Sequence, residues 1–468
     1  MKIILYILVA ASTLTGLMAQ SDDFYEISRL PFTNDRTDDF APAFFREGLV
    51  FTSNRKTGAF ISRLTEDDEI LYNIFYTSGK SEKWDNPDLF AKGLKSIYHD
   101  GPVSFSPDGS KIYFTRNVPA KGKNIPVLGI FMANWSDGEW IDITPFPYNS
   151  DNYNLTHPCI SPDGKTLYFA SDMPGGFGGM DIYKSEIQGK SWTAPANLGE
   201  QINSGKDEVF PYFHSSGRLY FSSNNNPSNI YDLFFSMPDD PWRLPVRLPA
   251  PFNSEADDFG FIADNELING YFTSNREGSD NIYSFVSTFP LFTQCESIKK
   301  PALHYDFYEA SGGEIDTLTQ YFEWDMGDGT LLRGIEVDHR FSDVGTYNVR
   351  LNVIDNITGE IFSNIRSLEL VIPLPEQAFI NSPDSCFVNE MITLDASSTN
   401  LPNLDIDGYY WDLGDGHRSS GETITHRFSA PGVYEIRLGV MSDPDSPYGQ
   451  QKSCVIKNIV VIEMEQQN

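Results

Sequence analysis

Apolar and polar residues alternate in short segments along the chain, as in Lys165-Thr166-Leu167-Tyr168-Phe169. A period of two residues is typical of β-strands that bury one face. The 468 residues also include 36 Gly and 29 Pro without a Gly-X-Y period, so turns are frequent. The pattern predicts an all-β protein built from many short strands.

A repeated unit occupies most of the first 287 residues. It contains an Asp-Gly turn, a strand ending in Tyr-Phe, a further strand and a Trp. The clearest turn residues are Ser106, Pro107, Asp108 and Gly109, and Ser161, Pro162, Asp163 and Gly164. The Trp positions are Trp84, Trp140, Trp192 and Trp242. Asp-Gly supplies the positive φ values of a tight hairpin, so each unit predicts a four-stranded sheet whose Trp lies on an outer strand.

Five copies of the unit can be aligned on a Phe in the Tyr-Phe strand. These residues, which lie 51 to 63 positions apart, are Phe51, Phe114, Phe169, Phe221 and Phe272. Such spacing fits the blades of a β-propeller. The fifth copy lacks an outer strand, and residues 24–31 match the segment around Trp242 that supplies this strand elsewhere. We therefore expect residues 21–287 to form a closed five-bladed β-propeller.

The combination of Ser-Pro-Asp-Gly, Leu-Tyr-Phe and Asp-Ile-Tyr resembles the TolB-type, WD40-like propeller repeats of bacterial envelope proteins. The resemblance covers most of residues 21–287. It implies periplasmic or surface protein interaction without a set of catalytic residues.

A second repeat has a period of 87 residues and contains Trp-Asp-x-Gly-Asp-Gly, a later His and then Gly-x-Tyr. The first copy contains Trp324, Asp325, Gly327, Asp328, Gly329, His339, Gly345 and Tyr347. The second copy contains Trp411, Asp412, Gly414, Asp415, Gly416, His426, Gly432 and Tyr434. An inward-facing Trp, a tight turn and a long alternating strand predict two tandem β-sandwiches.

These motifs closely resemble the PKD (polycystic kidney disease) domain, which has an immunoglobulin-like fold. We assign residues 288–375 to a first PKD domain and residues 376–468 to a second. The resemblance implies spacer, adhesion or carbohydrate-associated roles. Propeller repeats combined with PKD domains resemble envelope proteins of Bacteroidota, which suggests an association with secretion or gliding machinery.

The first 20 residues have a basic start, an apolar run from Ile3 to Ala11 and small residues before Ser21. This pattern predicts a secretory signal peptide and no transmembrane segment in the mature chain. With 65 acidic and 34 basic residues, the formal charge is −31, so nucleic acid is excluded as a main partner. The expected location is the periplasm or the outer membrane, with the cell surface as the alternative.

The favoured function is a noncatalytic scaffold whose propeller face binds another envelope protein. Insertions at residues 56–72 and 117–129 are expected to lie on one face and to contact this partner. A carbohydrate-binding accessory or adhesion protein that recognises a surface glycan is the alternative, and a glycan-active or proteolytic enzyme is a third interpretation. No Gly-x-Ser-x-Gly, His-Glu-x-x-His or Cys-x-x-Cys motif is present, so we expect the chain not to be an enzyme.

Candidate metal ligands occur in both sandwich repeats. His339 and His426 are interpreted as structural, and Asp328 and Asp415 as turn-forming residues with Ca²⁺ binding as the alternative. No other cofactor is expected. Paired acids such as Asp38-Asp39, Asp207-Glu208 and Asp257-Asp258 precede the first strand of a blade, where they either cap a turn or bind a cation.

Export permits disulfide formation among the four Cys residues. Cys386 lies near the first strands of the second sandwich and Cys454 on its last strand, so we expect these two to be bonded. Cys159 lies in an apolar strand and is expected to be a buried free thiol. Cys295 has no obvious partner in the sequence.

Overall fold

The computed structural model describes residues 24–463, except 57–69, 81–82, 91–92, 119–126, 239–241, 310–318, 445 and 447–448. All regular secondary structure in these residues is β-strand, as the alternating pattern predicts. They include no helix long and apolar enough to cross a membrane. The predicted signal peptide and most of both insertions lie outside the described residues.

The part of the chain before residue 288 forms five antiparallel sheets. The chain begins with β1 (Tyr25–Arg29). The first sheet contains β2 (Asp39–Phe45), β3 (Gly48–Ser53), β4 (Asn73–Lys80), β5 (Lys83–Trp84) and β6 (Asp88–Leu89). The second contains β7 (Asp100–Phe105), β8 (Lys111–Val118), β9 (Val127–Ser136) and β10 (Glu139–Pro145). The third contains β11 (Leu155–Ile160), β12 (Thr166–Ser171), β13 (Asp181–Gln188), β14 (Ser191–Trp192) and β15 (Ala196–Asn197).

The last two sheets follow the same order of strands. The fourth contains β16 (Glu208–Phe213), β17 (Leu219–Ser223), β18 (Asp232–Ser236) and β19 (Val246–Arg247). The fifth contains β20 (Asp258–Ala263), β21 (Asn269–Ser274) and β22 (Asn281–Ser287), together with β1. Strand β1 pairs antiparallel with β22, from Tyr25 opposite Ser287 to Arg29 opposite Tyr283. The N-terminal segment therefore supplies the outer strand that the last repeat lacks.

The first strands of the five sheets, which we call the inner strands, contact one another. Contacts join β2 to β7, β7 to β11, β11 to β16, β16 to β20, and β20 to β2. The five aligned Phe residues of the second strands are at most 2% exposed. Apolar side chains thus fill the space between neighbouring sheets, and the repeat in the sequence is a repeat of core packing.

Two β-sandwiches follow, and the motifs that recur after 87 residues lie in equivalent places in them. A short strand β23 (Glu296–Ser297) precedes the first sandwich, which contains β24 (His304–Tyr308), β25 (Gln320–Asp325), β26 (Leu331–Arg333), β27 (Glu336–Arg340), β28 (Gly345–Asp355) and β29 (Ile361–Ile372). The second contains β30 (Ser385–Phe387), β31 (Ile392–Asp395), β32 (Ile406–Asp412), β33 (Arg418–Ser420), β34 (Thr423–His426), β35 (Gly432–Ser442) and β36 (Lys452–Ile462). Each sandwich is centred on its motif Trp, Trp324 or Trp411.

The last long strands of the two sandwiches have different surroundings. In the second sandwich, β23 and β30 both pair in parallel with the free side of β36. In the first sandwich, β29 pairs with β28 and has no second neighbour among the strands that the structure describes. Strand β23 lies within residues 288–375 but belongs to the sheet of the second sandwich.

The predicted disulfide between Cys386 and Cys454 is wrong. Cys454 is bonded to Cys295, and Cys386 is a buried free thiol. Cys386 lies opposite Val461, seven residues along β36 from Cys454, which corresponds to roughly 23 Å of strand. The pairing of Glu296 with Val455 instead places Cys295 beside Cys454, with a Cα–Cα distance of 4.8 Å. The prediction of Cys159 as a buried free thiol is confirmed.

The second sandwich packs against the fifth sheet and the segment that follows it. Arg418 donates a hydrogen bond to the Ser287 hydroxyl over 2.7 Å. Its guanidinium also lies 5.4 Å from the ring centroid of Tyr25 and 4.6 Å from that of Phe289. One arginine of the second sandwich therefore contacts both the first strand of the chain and the linker.

Candidate functional site

The inner strands share a backbone irregularity that opens a cavity between them. Each contains a β-bulge with one residue at positive φ. These residues are Ala41 (50°), Gly101 (103°), His157 (53°), Phe210 (51°) and Gly260 (64°). Non-glycine residues rarely adopt this conformation, so its repetition indicates that the surrounding structure enforces it.

Threonines of adjacent sheets support two of these bulges. The amide of Ala41 donates to the Thr273 hydroxyl over 3.1 Å, and the amide of His157 donates to the Thr115 hydroxyl over the same distance. A bulge leaves a backbone group without its ladder partner, and these hydroxyls replace that partner. The hydrogen bonds stabilise the same irregularity at different positions around the cavity.

A proline follows the bulged residue in four of the five inner strands, at Pro42, Pro102, Pro158 and Pro211. These prolines line a cavity of about 420 Å³. Pro107 and Pro162 of the predicted Ser-Pro-Asp-Gly turns also line it, as do the rings of Phe44, Phe105 and Phe213. Proline has no amide hydrogen, so its use at this position leaves a wall poor in hydrogen-bond donors. The cavity wall is therefore largely apolar.

His157 is the titratable imidazole in this wall. Its ring stacks on Phe210 with a centroid distance of 3.7 Å, and its Nδ1 atom is buried without a hydrogen-bond partner in the described residues. Burial lowers the pKa of His157 to about 3. The side chain is therefore neutral at physiological pH and adds a polar but uncharged group to the cavity.

The paired acids lie where the inner strands begin. Asp39 and Asp258 bind Arg55 and Arg276 through ion pairs of 2.6 and 2.7 Å. Their preceding residues, Asp38 and Asp257, accept hydrogen bonds from Asn54 and Asn275 over 2.9 and 3.0 Å. Glu208 differs because it accepts hydrogen bonds from Ser204 and Ser223. The shared sequence position thus corresponds to a shared role in joining the first two strands.

Asp280 lies close to this acidic region. Burial raises its pKa to about 6, and the nearby charges of Asp38 and Asp257 contribute in the same direction. The carboxylate is therefore held in an environment that disfavours its charge. Folding thus places this carboxylate near the like charges of Asp38 and Asp257.

The predicted turn residues of the first repeat make local hydrogen bonds. The Ser106 hydroxyl donates to Asp108 over 2.6 Å, and that of Ser161 donates to Asp163 over 2.5 Å. Gly109 and Gly164 have φ values of 68° and 72°. Trp84, Trp140 and Trp192 lie on outer strands, whereas Trp242 lies outside a strand and packs against the core between the third and fourth sheets.

The motif residues of the two sandwiches make equivalent contacts. The indoles of Trp324 and Trp411 donate to the carbonyls of Gly334 and Gly421 over 3.0 and 2.8 Å. Backbone amides of Gly327 and Gly414 donate to Asp325 and Asp412 in the turns. Gly329 and Gly416 follow at φ values of 94° and 89°. The hydroxyls of Tyr347 and Tyr434, in the strands that Gly345 and Gly432 begin, donate to carbonyls four residues earlier.

Each predicted His lies beside the Asp of its own turn. His339 Nε2 lies 2.7 Å from Asp328, and His426 Nε2 lies 2.7 Å from Asp415. Burial opposes ionisation of Asp415, but the imidazoles of His417 and His426 lower its pKa to about 2. The carboxylate is therefore ionised at neutral pH.

Sequence reasoning missed the cavity, although its signal is visible in retrospect. A proline recurs near the start of the inner strands: Pro42, Pro158 and Pro211 lie three residues after the first residue of their strands, and Pro102 lies two residues after Asp100. Prolines inside predicted strands signal bulges or edges. The missed His417 belongs to the second sandwich alone, because the first has Thr330 at this place.

Comparisons with known proteins identify the two sandwiches and find distant relatives that match parts of the chain. The model of the PKD domain family matches residues 303–361 and 373–456. The chain is 23% identical to Dipeptidyl-peptidase 5 of Porphyromonas gingivalis over 325 residues, which cover 67% of this chain and 40% of the relative. It is 36% identical to Collagenase ColA of Clostridium perfringens over 64 residues, which cover 14% of this chain and 6% of the relative.

A solved structure of TolB from Acinetobacter baumannii is also similar, with 12% identity and a TM-score of 0.30. The similarity covers 76% of this chain and 62% of that protein. The chain spans less than half the length of the two curated relatives that it matches.

The prediction that the chain is not an enzyme is contradicted by the similarity to Dipeptidyl-peptidase 5, a protein named for a peptidase activity. That prediction relied on the absence of short catalytic motifs. Such motifs detect only sites whose residues are close in sequence, whereas catalytic groups are often contributed by distant segments.

Proposed function

We propose that this chain is an exported protein of the bacterial cell envelope that binds a segment of a protein partner in its central cavity. In this proposal the five sheets form a closed five-bladed β-propeller, located in the periplasm or at the outer membrane. The observation that carries the proposal is the cavity of about 420 Å³, which the same position of every inner strand helps to form.

The composition of the wall defines the part of a partner that it accepts. Prolines and the rings of Phe44, Phe105 and Phe213 offer apolar surface, and His157 is neutral. Cavities of about 300–1,000 Å³ bury ligands of small-molecule size. The cavity therefore accepts a few apolar side chains of an extended segment rather than a folded domain.

The curated relative supports a polypeptide as the ligand class, because its name is that of a peptidase. In this proposal the insertions at residues 56–72 and 117–129 are not needed for recognition. The inner strands themselves provide it, and their rigidity lowers the entropy lost on binding.

The PKD domains act as spacer or docking modules in this proposal. The second is joined to the sheets by Arg418 and to the linker by the Cys295–Cys454 bond. The segments that enter and leave the first domain are hydrogen-bonded to each other through Lys299 and Gln377, beside the second domain. Thus the second domain would orient the cavity while the first extends outward to another contact.

A binding experiment with a defined peptide pool tests the cavity. Full-length protein would be exposed to a phage-displayed library of random 12-residue peptides, alongside Phe44→Asp and Phe177→Asp variants. Both phenylalanines are substantially exposed, at 41% and 50%, but only Phe44 lines the cavity. A carboxylate at position 44 would lose its water on contact with an apolar ligand, and this loss costs free energy of binding.

We expect enrichment of apolar or proline-containing peptides whose affinity falls at least about tenfold for Phe44→Asp and is unchanged for Phe177→Asp. No enrichment, or equal binding by all three proteins, would contradict the proposal. Binding that survives Phe44→Asp but is lost when residues 290–468 are deleted would place recognition on the PKD domains instead.

A further inference from the structure

Three potential metal ligands meet at the Gly-Asp-Gly turn of the second PKD domain. Asp415, His417 and His426 each offer a ligand atom, and these atoms lie within 4.8 Å of one another. The side chains of Asp415 and His426 are only 5% and 11% exposed, whereas that of His417 is 41% exposed. One carboxylate and two imidazoles therefore converge at a site that is open on one side.

The first PKD domain provides an internal comparison. Its Asp328 and His339 form the same pair at the same distance of 2.7 Å. Thr330 occupies the place of His417, so a second imidazole is absent from this turn. The shared Asp–His pair is sufficient to build the fold of a PKD domain. His417 is an addition that the fold does not require.

The orientation of His417 favours metal binding over a further hydrogen bond. Its Nδ1 atom is buried and lies 3.3 Å from Asp415 Oδ1, yet it has no well-aligned hydrogen-bond partner in the described residues. Ligands of a tetrahedral zinc ion at bond lengths near 2.0–2.1 Å are about 3.3 Å apart. The distance from Asp415 Oδ1 to His417 Nδ1 has this value. His426 Nε2 lies 2.7 Å from the other oxygen, Oδ2, and the ligand atoms are up to 4.8 Å apart, so the side chains would adjust when an ion binds.

The donor types distinguish between classes of ion. Ca²⁺ prefers six to eight oxygen ligands, and this cluster offers one carboxylate. Two imidazoles and a carboxylate suit Zn²⁺ and related divalent transition metals, which commonly keep a water as a fourth ligand. The exposed side at His417 gives water access to this position.

The cluster also lies where the second PKD domain meets the fourth sheet. Gly416, between two of the ligands, is so close to this sheet that a Cβ atom there would lie 3.4 Å from the Phe235 ring. Arg418, the next residue after His417, binds Ser287. An ion bound by this turn would therefore restrain the segment through which the domain contacts the sheets.

We propose that Asp415, His417 and His426 form a binding site for a divalent transition-metal ion of the zinc class. This site is independent of the peptide cavity, so its presence or absence does not bear on the proposed function.

Metal titration of the full-length chain tests the site. Protein treated with a chelator and then freed of it would be titrated with Zn²⁺ by calorimetry, and with Co²⁺ by visible absorption. We expect one tight site, a Co²⁺ spectrum typical of nitrogen and oxygen ligands, and a melting temperature that rises with Zn²⁺ because the folded state binds the ion.

The decisive variant is His417→Thr, which gives the second domain the residue of the first and should therefore fold. We expect it to lower Zn²⁺ affinity at least about tenfold. His304→Ala is the matched control, since His304 forms a single pair with Asp338 in the first domain, and it should leave affinity unchanged.

Absence of Zn²⁺ binding would overturn the proposal. Equal affinity in the His417→Thr protein would overturn it too, because the ion would then lie elsewhere on this acidic chain. A preference for Ca²⁺ over Zn²⁺ would contradict the assignment of the ion class.

Discussion

The side-chain amide of Gln377 makes two hydrogen bonds to the backbone of Lys299. Nε2 donates to the Lys299 carbonyl over 2.7 Å, and Oε1 accepts from the Lys299 amide over 2.9 Å. The two residues are 78 positions apart, and Gln377 is buried. They join the segment that leads into the first PKD domain to the segment that leads out of it.

We expect Gln377→Leu to destabilise this junction, because both Lys299 backbone groups would lose their partners in a partly buried setting. The loss should be about 1–3 kcal/mol in the free energy of unfolding of the PKD region. Urea denaturation followed by hydrogen exchange would measure it. Gln188→Leu, at an exposed strand end, is the control and should change stability by less than about 0.5 kcal/mol. Equal effects would show that the two hydrogen bonds contribute nothing.

The Cys295–Cys454 bond should be detectable by peptide mapping without reductant. We expect Cys295→Ser to remove the cross-linked peptide and to cost on the order of 4–5 kcal/mol, since the bond closes a loop between residues 159 positions apart. Cys386→Ala is the control and should retain the cross-link. A cross-linked peptide that contains Cys386 would refute the observed pairing.

His157 should make stability depend on pH. Its folded-state pKa of about 3 lies below its value in the unfolded chain, so the unfolded state binds a proton first as the pH falls. Stability is therefore lost below about pH 6.5. We expect the wild type to lose on the order of 2 kcal/mol more than His157→Asn between pH 7 and pH 5. Asn tolerates the positive φ of this position.

Urea midpoints at the two pH values would give the comparison, with His304→Asn as an exposed control that should behave like the wild type. Parallel losses in wild type and His157→Asn would show that the imidazole is not held neutral.

Asp280 should have the opposite dependence. Its folded-state pKa of about 6 is raised, so the folded state takes up a proton first and stability falls as the pH rises from about 4 to about 6. We expect Asp280→Asn to stabilise the protein by about 1–3 kcal/mol at pH 7, and by little at pH 4. Denaturation curves at both pH values would test this, with the exposed Asp88→Asn as control. A gain that is the same at both pH values would have a different origin.

Local and repeated features were predictable from the sequence. The period of two residues identified the strands that carry Phe114 and Phe169, and the match to the Trp242 segment identified β1 as a partner of β22. Both depend on patterns that recur, so each copy supports the others. The bulges at Ala41 and His157 were not predicted, because positive φ at these residues is enforced by neighbouring sheets that are distant in sequence.

Differences between repeated copies were the hardest features to predict. The two sandwiches share their motif residues, but β36 is covered by β23 and β30 whereas β29 has no such cover in the described structure. Which of the two sandwiches pairs with β23 depends on the path of the chain at Gln377, where it leaves the first sandwich. The disulfide prediction failed for the same reason, since Cys295 reaches Cys454 only through β23.

The position of the disulfide also determines how the chain carries mechanical load. Tension applied between the five N-terminal sheets and the C-terminus would pass from Cys295 directly to Cys454, and the intervening first PKD domain would feel no force. Reduction of the bond would place that domain in series, and unfolding of the 78 positions between Lys299 and Gln377 would release up to roughly 260 Å of extensible chain. In an oxidising compartment the disulfide therefore keeps tension off the first PKD domain. In a reducing compartment the domain bears the tension and lengthens the chain when it unfolds.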